Sequence, residues 1–289
     1  MTPALRTLPA LFAVLLGMLL SAAAPAAPTA DVLEEIRDSG VIRMGYLEAA
    51  PPFSFEEAGA PAGYSVDMCR HVAEDVGRQV GKALRVEWVR LTQQTRLEAV
   101  ENGKVHVECG TTTWTLSRQE KVDFSLMTFI DGATILVRGN TDLMRVADFA
   151  GKRIAVVQNT TTERNLRQAL KARAIVADVI TVAGPEKAMA MLESGQVEGF
   201  ASDRMVLLGL GLSAPKGNDF RLLDEDYSVE PYALVLPRGQ PDLRLAVNRS
   251  LAGIYRSGQV DQIFQRWFGQ MGKPSVLLTA LFYLQSIPE

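Results

Sequence analysis

Short apolar runs alternate with segments of helical spacing along most of this chain. Strands are predicted at 41–46, 84–89 and 105–110, because these runs are apolar, rich in β-branched residues and bounded by Gly, Pro or polar residues. Helices are predicted between them at 66–80 and 95–102, the first from apolar positions spaced three and four apart. The alternation indicates βαβ units and a largely parallel sheet.

The same alternation restarts in the second half of the chain. After a β-rich segment at 132–138 and a short helix and loop at 141–149, the pattern predicts three strands, two helices between them, one further strand and two closing helices. These lie at 153–157, 162–173, 179–182, 185–194, 199–201, 232–236, 243–257 and 259–268. The chain is therefore expected to fold as two α/β units of similar size.

The N-terminal residues have the three-part pattern of a secretory signal peptide. Arg6 supplies a positive region, residues 8–20 are almost wholly apolar, and small residues with proline follow. The alternative, a membrane anchor, is disfavoured because the run is shorter than the roughly 20 residues that a spanning helix needs. We expect export to the periplasm and cleavage after Ala26, and we expect the apolar tail at 276–284 to dock on the body of the protein.

Charge and motifs exclude several functions. Lys and Arg number 30 and Asp and Glu 33, which gives a net charge of −3. The chain therefore lacks the excess of positive charge that is typical of nucleic-acid-binding proteins. Neither His71 nor His106 has an acidic or Cys partner at metal spacing, and no phosphate-binding loop or nucleophile elbow is present. The sequence thus predicts a protein that is not an enzyme and holds no metal or cofactor. Cys69 and Cys109 leave two readings open: a disulfide, as exported proteins allow, or two small buried side chains.

A threonine-rich turn follows the third predicted strand. Gly110 lets a ligand approach the backbone, Thr111 to Thr113 follow, and a helix is expected to open near Thr115 or Ser117, the latter with Glu120 at capping-box spacing. The amides at the start of the helix, the threonine hydroxyls and Arg118 could together bind a carboxylate group. The alternative is an ordinary capped helix with a surface arginine.

Two similar places lie in the second unit. Thr160, Thr161 and Thr162 open a helix after a strand, with Thr160 and Glu163 at capping-box spacing, and Asp203 ends another strand. Each could simply be a helix cap. Facing the first turn across a cleft, however, they would complement a zwitterion, with Arg118 for the carboxylate and Asp203 for the ammonium group.

Several motifs in order along the chain resemble the family-3 extracellular solute-binding proteins for polar amino acids, closest to their glutamate/aspartate-binding branch. They are Gly63-Tyr64-Ser65-Val66-Asp67, Pro52-Phe53-Ser54-Phe55, Glu108-Cys109-Gly110-Thr111-Thr112-Thr113 with Arg118, Leu192-Glu193-Ser194-Gly195 and Ser257-Gly258 to Trp267-Phe268. The resemblance implies a type II periplasmic-binding-protein fold, α/β, with two lobes joined by strands crossing near 130–133 and 230–233. Lobe 1 is expected at 27–131 and 232–289, and lobe 2 at 132–231.

The resemblance also implies a function. The protein is expected to be the monomeric periplasmic receptor of an ABC importer, closing on an amino acid and passing it to a membrane permease. Thr111, Thr113 and Arg118, with Thr160 to Thr162, correspond to the carboxylate site, and Asp203 with the Thr111 carbonyl to the amine site.

Side-chain specificity departs from that branch. Leu47 and Pro185 stand where the branch has arginine and histidine, Gln93 replaces a serine, and Arg96 is retained. Arg96 disfavours a cationic ligand, and Gln93 can both donate and accept hydrogen bonds. We therefore expect Glu, Asp, Gln or Asn. Two alternatives are a cyclohexadienyl-type dehydratase of the same fold and a receptor for a separate membrane kinase.

Overall fold

The computed structural model describes residues 31–215 and 220–288. The predicted signal peptide, 1–26, lies outside these residues. Within the described ranges, no helix has both the length and the apolar character needed to cross a membrane.

Helices and strands alternate as the sequence predicts. The helices are α1 (Val32–Ser39), α2 (Tyr64–Gln79), α3 (Arg96–Glu101), α4 (Leu116–Gln119), α5 (Thr161–Ala172), α6 (Pro185–Glu193), α7 (Arg204–Ser213), α8 (Pro241–Arg256), α9 (Gln259–Phe268) and α10 (Val276–Leu284). The strands are β1 (Val41–Leu47), β2 (Ala49–Ala50), β3 (Ser54–Glu57), β4 (Ala60–Ala62), β5 (Arg85–Leu91), β6 (Val107–Glu108), β7 (Val122–Arg138), β8 (Arg153–Val157), β9 (Asp178–Val182), β10 (Gly199–Asp203), β11 (Phe220–Leu222) and β12 (Ser228–Pro237).

One mixed sheet runs through the described part of the molecule, in the order β5-β1-β6-β12-β7-β10-β8-β9, with β11 beside β7. At one end β5, β1 and β6 are parallel, and at the other β10, β8 and β9 are parallel. The long strands β7 and β12 lie antiparallel between them. We call the β5-β1-β6 end with its helices the first half of the molecule and the β10-β8-β9 end with its helices the second half.

Each half has its own apolar core, and β7 contributes to both. Phe129 packs with α2, α8 and α9 in the first half, whereas Ile135 and Val137, further along the same strand, pack under α5 in the second. The strand is 17 residues long, enough to pass from one core to the other without interruption. The sequence predicts only the segment 132–138 of this strand, because the preceding part is only partly apolar.

A disulfide fastens α2 to the sheet. The sulfurs of Cys69 and Cys109 are bonded, 2.06 Å apart. The sequence left open a disulfide or two separate buried cysteines, and the structure contains the disulfide. Both residues are also fully buried, so the bond lies within the core of the first half and immediately precedes the threonine-rich turn.

The apolar tail docks on the first half, as predicted. Helix α10 begins with Ser275, whose hydroxyl accepts a hydrogen bond from the Leu278 amide at 3.1 Å. Phe282 stacks on Tyr255 with ring centroids 5.3 Å apart. Beyond the helix, the Gln285 side chain pairs with both backbone groups of Met127 in β7, each at 2.8 Å.

Helix α7 is missing from the sequence prediction. Its residues, RMVLLGLGLS, are apolar on nearly every face, so no amphipathic period marks the helix. Val206 packs into the core of the first half, whereas Leu207 packs into that of the second. The helix thus lies where the two halves meet.

Candidate functional site

The threonine-rich turn after β6 is held by backbone bonds to β12. The amide of Ala233 donates to the Thr112 carbonyl at 3.2 Å, and the amide of Trp114 donates to the Pro231 carbonyl at 2.7 Å. From the other side, the Ser65 hydroxyl donates to the Gly110 carbonyl at 2.8 Å. The buried side chains of Thr111 and Thr113 are therefore fixed on a rigid turn.

Arg118 lies behind this turn. Helix α4 is capped by Thr115, whose hydroxyl accepts from the Arg118 amide at 3.2 Å. Of the two predicted starts, Thr115 is therefore confirmed, and the capping-box spacing of Ser117 with Glu120 is not used. The Arg118 guanidinium donates through Nη1 to the Thr113 carbonyl at 2.6 Å. Burial, and then the nearby charge of Arg96, lowers the pKa of Arg118 to about 9, which leaves it charged at neutral pH.

The second threonine-rich turn opens α5 in the other half. Thr160 caps the helix, since its hydroxyl accepts from the Glu163 amide at 3.1 Å. The Glu163 carboxylate returns to the Asn159 amide at 2.9 Å, one residue before the position expected for a capping box. The side chains of Thr161 and Thr162 take no part in capping the helix, and both are buried.

Asp203 does not cap a helix through its side chain. It is the N-cap residue of α7, but its carboxylate makes no bond to the helix amides. Instead it accepts from the Tyr232 hydroxyl at 2.5 Å and the Thr162 hydroxyl at 3.1 Å. Burial, reinforced by repulsion from Glu230, raises the pKa of Asp203 to about 7.

Eight of the nine predicted site residues surround one small space between the halves. This central cavity, of about 20 Å³, is lined by Gln93, Arg96, Thr111, Thr113, Thr160, Thr161, Thr162 and Asp203. Arg118, the ninth, is separated from it by the Thr113 backbone, to which it donates. Lining residues that sequence reasoning missed include Ala49, Val157, Ser202 and Val206. A space this small holds little more than a water molecule, which describes a closed cleft.

Glu230 joins the two walls of the cavity. Its fully buried carboxylate accepts through Oε2 from Thr113 at 2.7 Å and Thr161 at 2.8 Å, and through Oε1 from Asn165 at 2.9 Å and Ser228 at 2.6 Å. Thr113 belongs to the first half, and Thr161 and Asn165 to the second. A single carboxylate on a crossing strand therefore bonds to both halves.

Arg96 is a buried cation facing the cavity. Its side chain is at the start of α3 and only 3% exposed, and its Nη1 has no hydrogen-bond partner among the described residues. Burial lowers its pKa, an effect opposed chiefly by the charge of Glu108. Glu108 is itself fully buried, and burial raises its pKa. A cation with an unpartnered nitrogen at a cavity wall can bind an oxygen of a ligand.

A second space adjoins the central cavity and is more open. This outer cavity, of about 270 Å³, is lined on one side by Leu47, Leu91, Gln93 and Gln94 and on the other by Gly184 and Pro185. Gln93, Pro185 and Ala49 border both spaces. Across it the Gln94 amide donates to the Ala183 carbonyl at 2.8 Å, linking first and second halves.

Several functional candidates were not predicted as such. Glu230 and Tyr232 come from the crossing strand β12, and Ser65 from the start of α2. The sequence marks Glu230 only as the beginning of a crossing strand and Ser65 only as a departure from a family motif. Their roles depend on contacts with residues far away in the chain.

Three comparisons relate the chain to known proteins. Residues 42–270 match the family model for bacterial extracellular solute-binding proteins, family 3. The chain is 32% identical, over 91% of its own length and 88% of the relative's, to the L-glutamate/L-aspartate-binding protein of Pseudomonas aeruginosa. It is 26% identical to an ABC transporter glutamine-binding protein of Bacillus subtilis, over 82% of this chain and 84% of that protein.

The solved structures agree on the fold. An ancestral arginine-binding protein bound to glutamine superposes with a TM-score of 0.72 at 26% identity, over 80% of this chain and 98% of that one. The fold is thus that of type II periplasmic amino-acid-binding proteins. With most of its length matched by the family model, the chain belongs to the bacterial extracellular solute-binding proteins of family 3.

Proposed function

We propose that this protein is the periplasmic binding protein of an ABC-type amino-acid importer and closes on a polar L-amino acid of the acidic or amide class. The observation that carries the proposal is the meeting of threonine hydroxyls, a buried arginine and a buried aspartate around one cavity between the halves. The named relatives, which bind glutamate, aspartate or glutamine, support this class.

The two ends of a zwitterion would bind to different groups. Thr111 and Thr113, with Arg118 behind them and Thr160 to Thr162 opposite, would hold the α-carboxylate. Asp203 would hold the α-ammonium group, for which its carboxylate has a suitable charge once ionised. Burying both charges of a ligand is favourable only where each is paired, and this division supplies a partner for each.

Closure would bring these partners together. We propose that the first half moves as lobe 1 (27–131 and 232–289) and the second as lobe 2 (132–231), hinged where β7 and β12 cross. In the closed arrangement Thr113 and Thr161, whose hydroxyl oxygens are 3.0 Å apart, both donate to Glu230, and Gln94 bonds to Ala183. Such bonds between halves would form on closing and break on opening.

Arg96 would select the side chain. Arg96 lines the cavity and its Nη1 has no hydrogen-bond partner among the described residues, so a carboxylate or amide oxygen on the ligand would satisfy it. A cationic side chain would instead be repelled. Gln93, at the border with the outer cavity, would accept a hydrogen bond from an amide side chain or donate one to a carboxylate. Glu, Asp, Gln and Asn therefore all fit the site.

To deliver the amino acid to an importer, the protein must be in the periplasm and must bind a membrane partner. We propose that residues 1–26 direct export and are removed, and that the closed protein then meets the membrane permease of the importer. This type of partner is supported by the Bacillus subtilis relative, which is named as the glutamine-binding protein of an ABC transporter.

Calorimetry with the twenty L-amino acids tests the proposal on protein unfolded and refolded to remove carried ligand. We expect one-to-one binding of at least one of Glu, Asp, Gln and Asn. Arg118→Ala should weaken it by about tenfold or more, since the positive charge behind the carboxylate site and its hydrogen bond to the Thr113 carbonyl are lost. Arg96→Ala should change the preference between acid and amide.

The exposed Arg85, which pairs with Glu87 away from the cleft, supplies the control variant Arg85→Ala. It should bind like the unaltered protein. The proposal fails if none of the twenty amino acids binds.

A further inference from the structure

The outer cavity lies beside the place where a ligand's side chain would end. Gln93 and Pro185 border both spaces, and Arg96 lines the inner one. A side chain whose oxygen meets Arg96 therefore points toward the outer cavity. The outer cavity, of about 270 Å³, exceeds the central one of about 20 Å³ many times over.

No basic residue lines this outer cavity among the described residues. Its ionisable lining side chains are Glu48 and Glu186, and Glu48 already pairs with Arg90 at 2.7 Å. Leu47 and Leu91 are apolar, and Gln93 and Gln94 offer amide groups. An anionic extension would meet carboxylates here and no lining cation among the described residues, whereas an uncharged extension would meet apolar carbons and amides.

From this arrangement we infer that the site accepts amino acids with an extended, uncharged side chain, specifically γ-glutamyl amides substituted on the amide nitrogen. The α-carboxylate binds at Thr111 and Thr113 and the α-ammonium group at Asp203, as proposed above; we call these groups the clamp, and this inference rests on that proposed function. The side-chain carbonyl oxygen meets Arg96, and the substituent on the nitrogen lies in the outer cavity.

Gly184 provides a way to fill the cavity without disturbing the clamp. It lies at the cavity wall just before α6, in extended backbone with φ −155°. A β-carbon there meets only the flexible Glu186 carboxylate, at 3.1 Å. The first atom of a side chain can therefore be introduced at Gly184 with only that carboxylate to move, and the rest of the side chain would begin at the wall of the outer cavity.

The experiment compares three ligands by calorimetry: L-glutamine, its N-ethyl amide (L-γ-glutamylethylamide) and L-γ-glutamylglycine, which adds a carboxylate. In the unaltered protein we expect the ethylamide to bind within about threefold of glutamine, and the anionic dipeptide about tenfold more weakly. Gly184→Leu should weaken the ethylamide by about tenfold and leave glutamine within about threefold.

The outcomes separate this inference from the proposed function. If glutamine binds but the ethylamide is about tenfold or more weaker in the unaltered protein, the extended subsite is wrong and the clamp stands. Equal weakening of both amides by Gly184→Leu would also overturn the subsite, as would binding of glutamate with neither amide. Failure of every amino acid to bind would contradict the proposed function itself.

Discussion

Gly209 of α7 lies against the backbone carbonyl of Pro51, so closely that a β-carbon on Gly209 would be 2.5 Å from that oxygen. Pro51 lies between β2 and β3 in the first half, and α7 follows β10 of the second. The contact thus lies where the two halves meet, away from the ligand groups. In the closure proposed above, this contact leaves no room for a side chain at Gly209.

Gly209→Ala should therefore weaken ligand binding without touching the ligand. We expect faster dissociation, by about tenfold, because a clash of this size costs on the order of 1–3 kcal/mol in the closed state. Stopped-flow dissociation rates measure it. The matched control is Gly211→Ala on the same helix, where a β-carbon meets nothing closer than 4.0 Å. Equal rates in the two variants would contradict the role of the contact.

Glu230 and a ligand carboxylate would compete for the same protons. Thr113 and Thr161 each have one hydroxyl proton, and both donate to Glu230 Oε2 in the closed cleft. Glu230→Gln should weaken those bonds and remove a negative charge, so we expect ligand affinity to rise by about fivefold. Calorimetry measures whether the ligand affinity rises or falls. Weaker binding would show that Glu230 supports the bound ligand rather than opposing it.

Ligand affinity should fall in mild acid because the proposed ammonium site must be ionised. The pKa of Asp203 is about 7, and the charged or titratable groups that act on it are Glu230, Tyr232, Tyr227, Asp131 and Arg96. Below that pH Asp203 holds a proton that the ligand must displace, so the dissociation constant should rise toward tenfold per pH unit. Calorimetry from pH 8 to 5.5 measures this. A dissociation constant that is flat across the range would contradict the assignment.

The same shift predicts how the ligand-free protein responds to pH. The ordinary pKa of an aspartate is 3.8, so between about 4 and about 7 the folded protein holds a proton on Asp203 that the unfolded chain has lost. The contribution of Asp203 to stability is therefore present in acid and lost as the pH rises through about 7. Asp203→Asn should remove this contribution, and urea unfolding across the range measures the difference between the two proteins.

The disulfide should stabilise the first half strongly. Cys69 and Cys109 are 40 residues apart in sequence, and closing a loop of that length restricts the unfolded chain by an amount worth about 4 kcal/mol. The double variant Cys69→Ala/Cys109→Ala should lose much of that free energy of unfolding in urea. The reduced unaltered protein serves as the second reference. Oxidised and reduced protein with the same midpoint would contradict the prediction.

The sequence locates the two threonine-rich turns because strand ends in an α/β sheet meet at one edge, and runs of hydroxyls there stand out. It also identifies Asp203, although only as one of two readings. Glu230 could not be found this way, since its partner Thr113 is 117 residues away and the contact depends on how β12 crosses the sheet. The position of Arg118 behind the Thr113 carbonyl likewise depends on the short helix α4. Helix α7 escapes prediction because its apolar faces carry no period.

The most direct test of the clamp is a crystal structure with bound glutamine or glutamate, in which the distance from the ligand's amino nitrogen to the Asp203 carboxylate is measured. We predict a charge-assisted hydrogen bond of about 2.7–2.9 Å, with the ligand carboxylate near Thr111 and Thr113 and its side-chain oxygen at Arg96. A ligand in the reverse orientation, or an amino nitrogen beyond hydrogen-bond distance of Asp203, would contradict it.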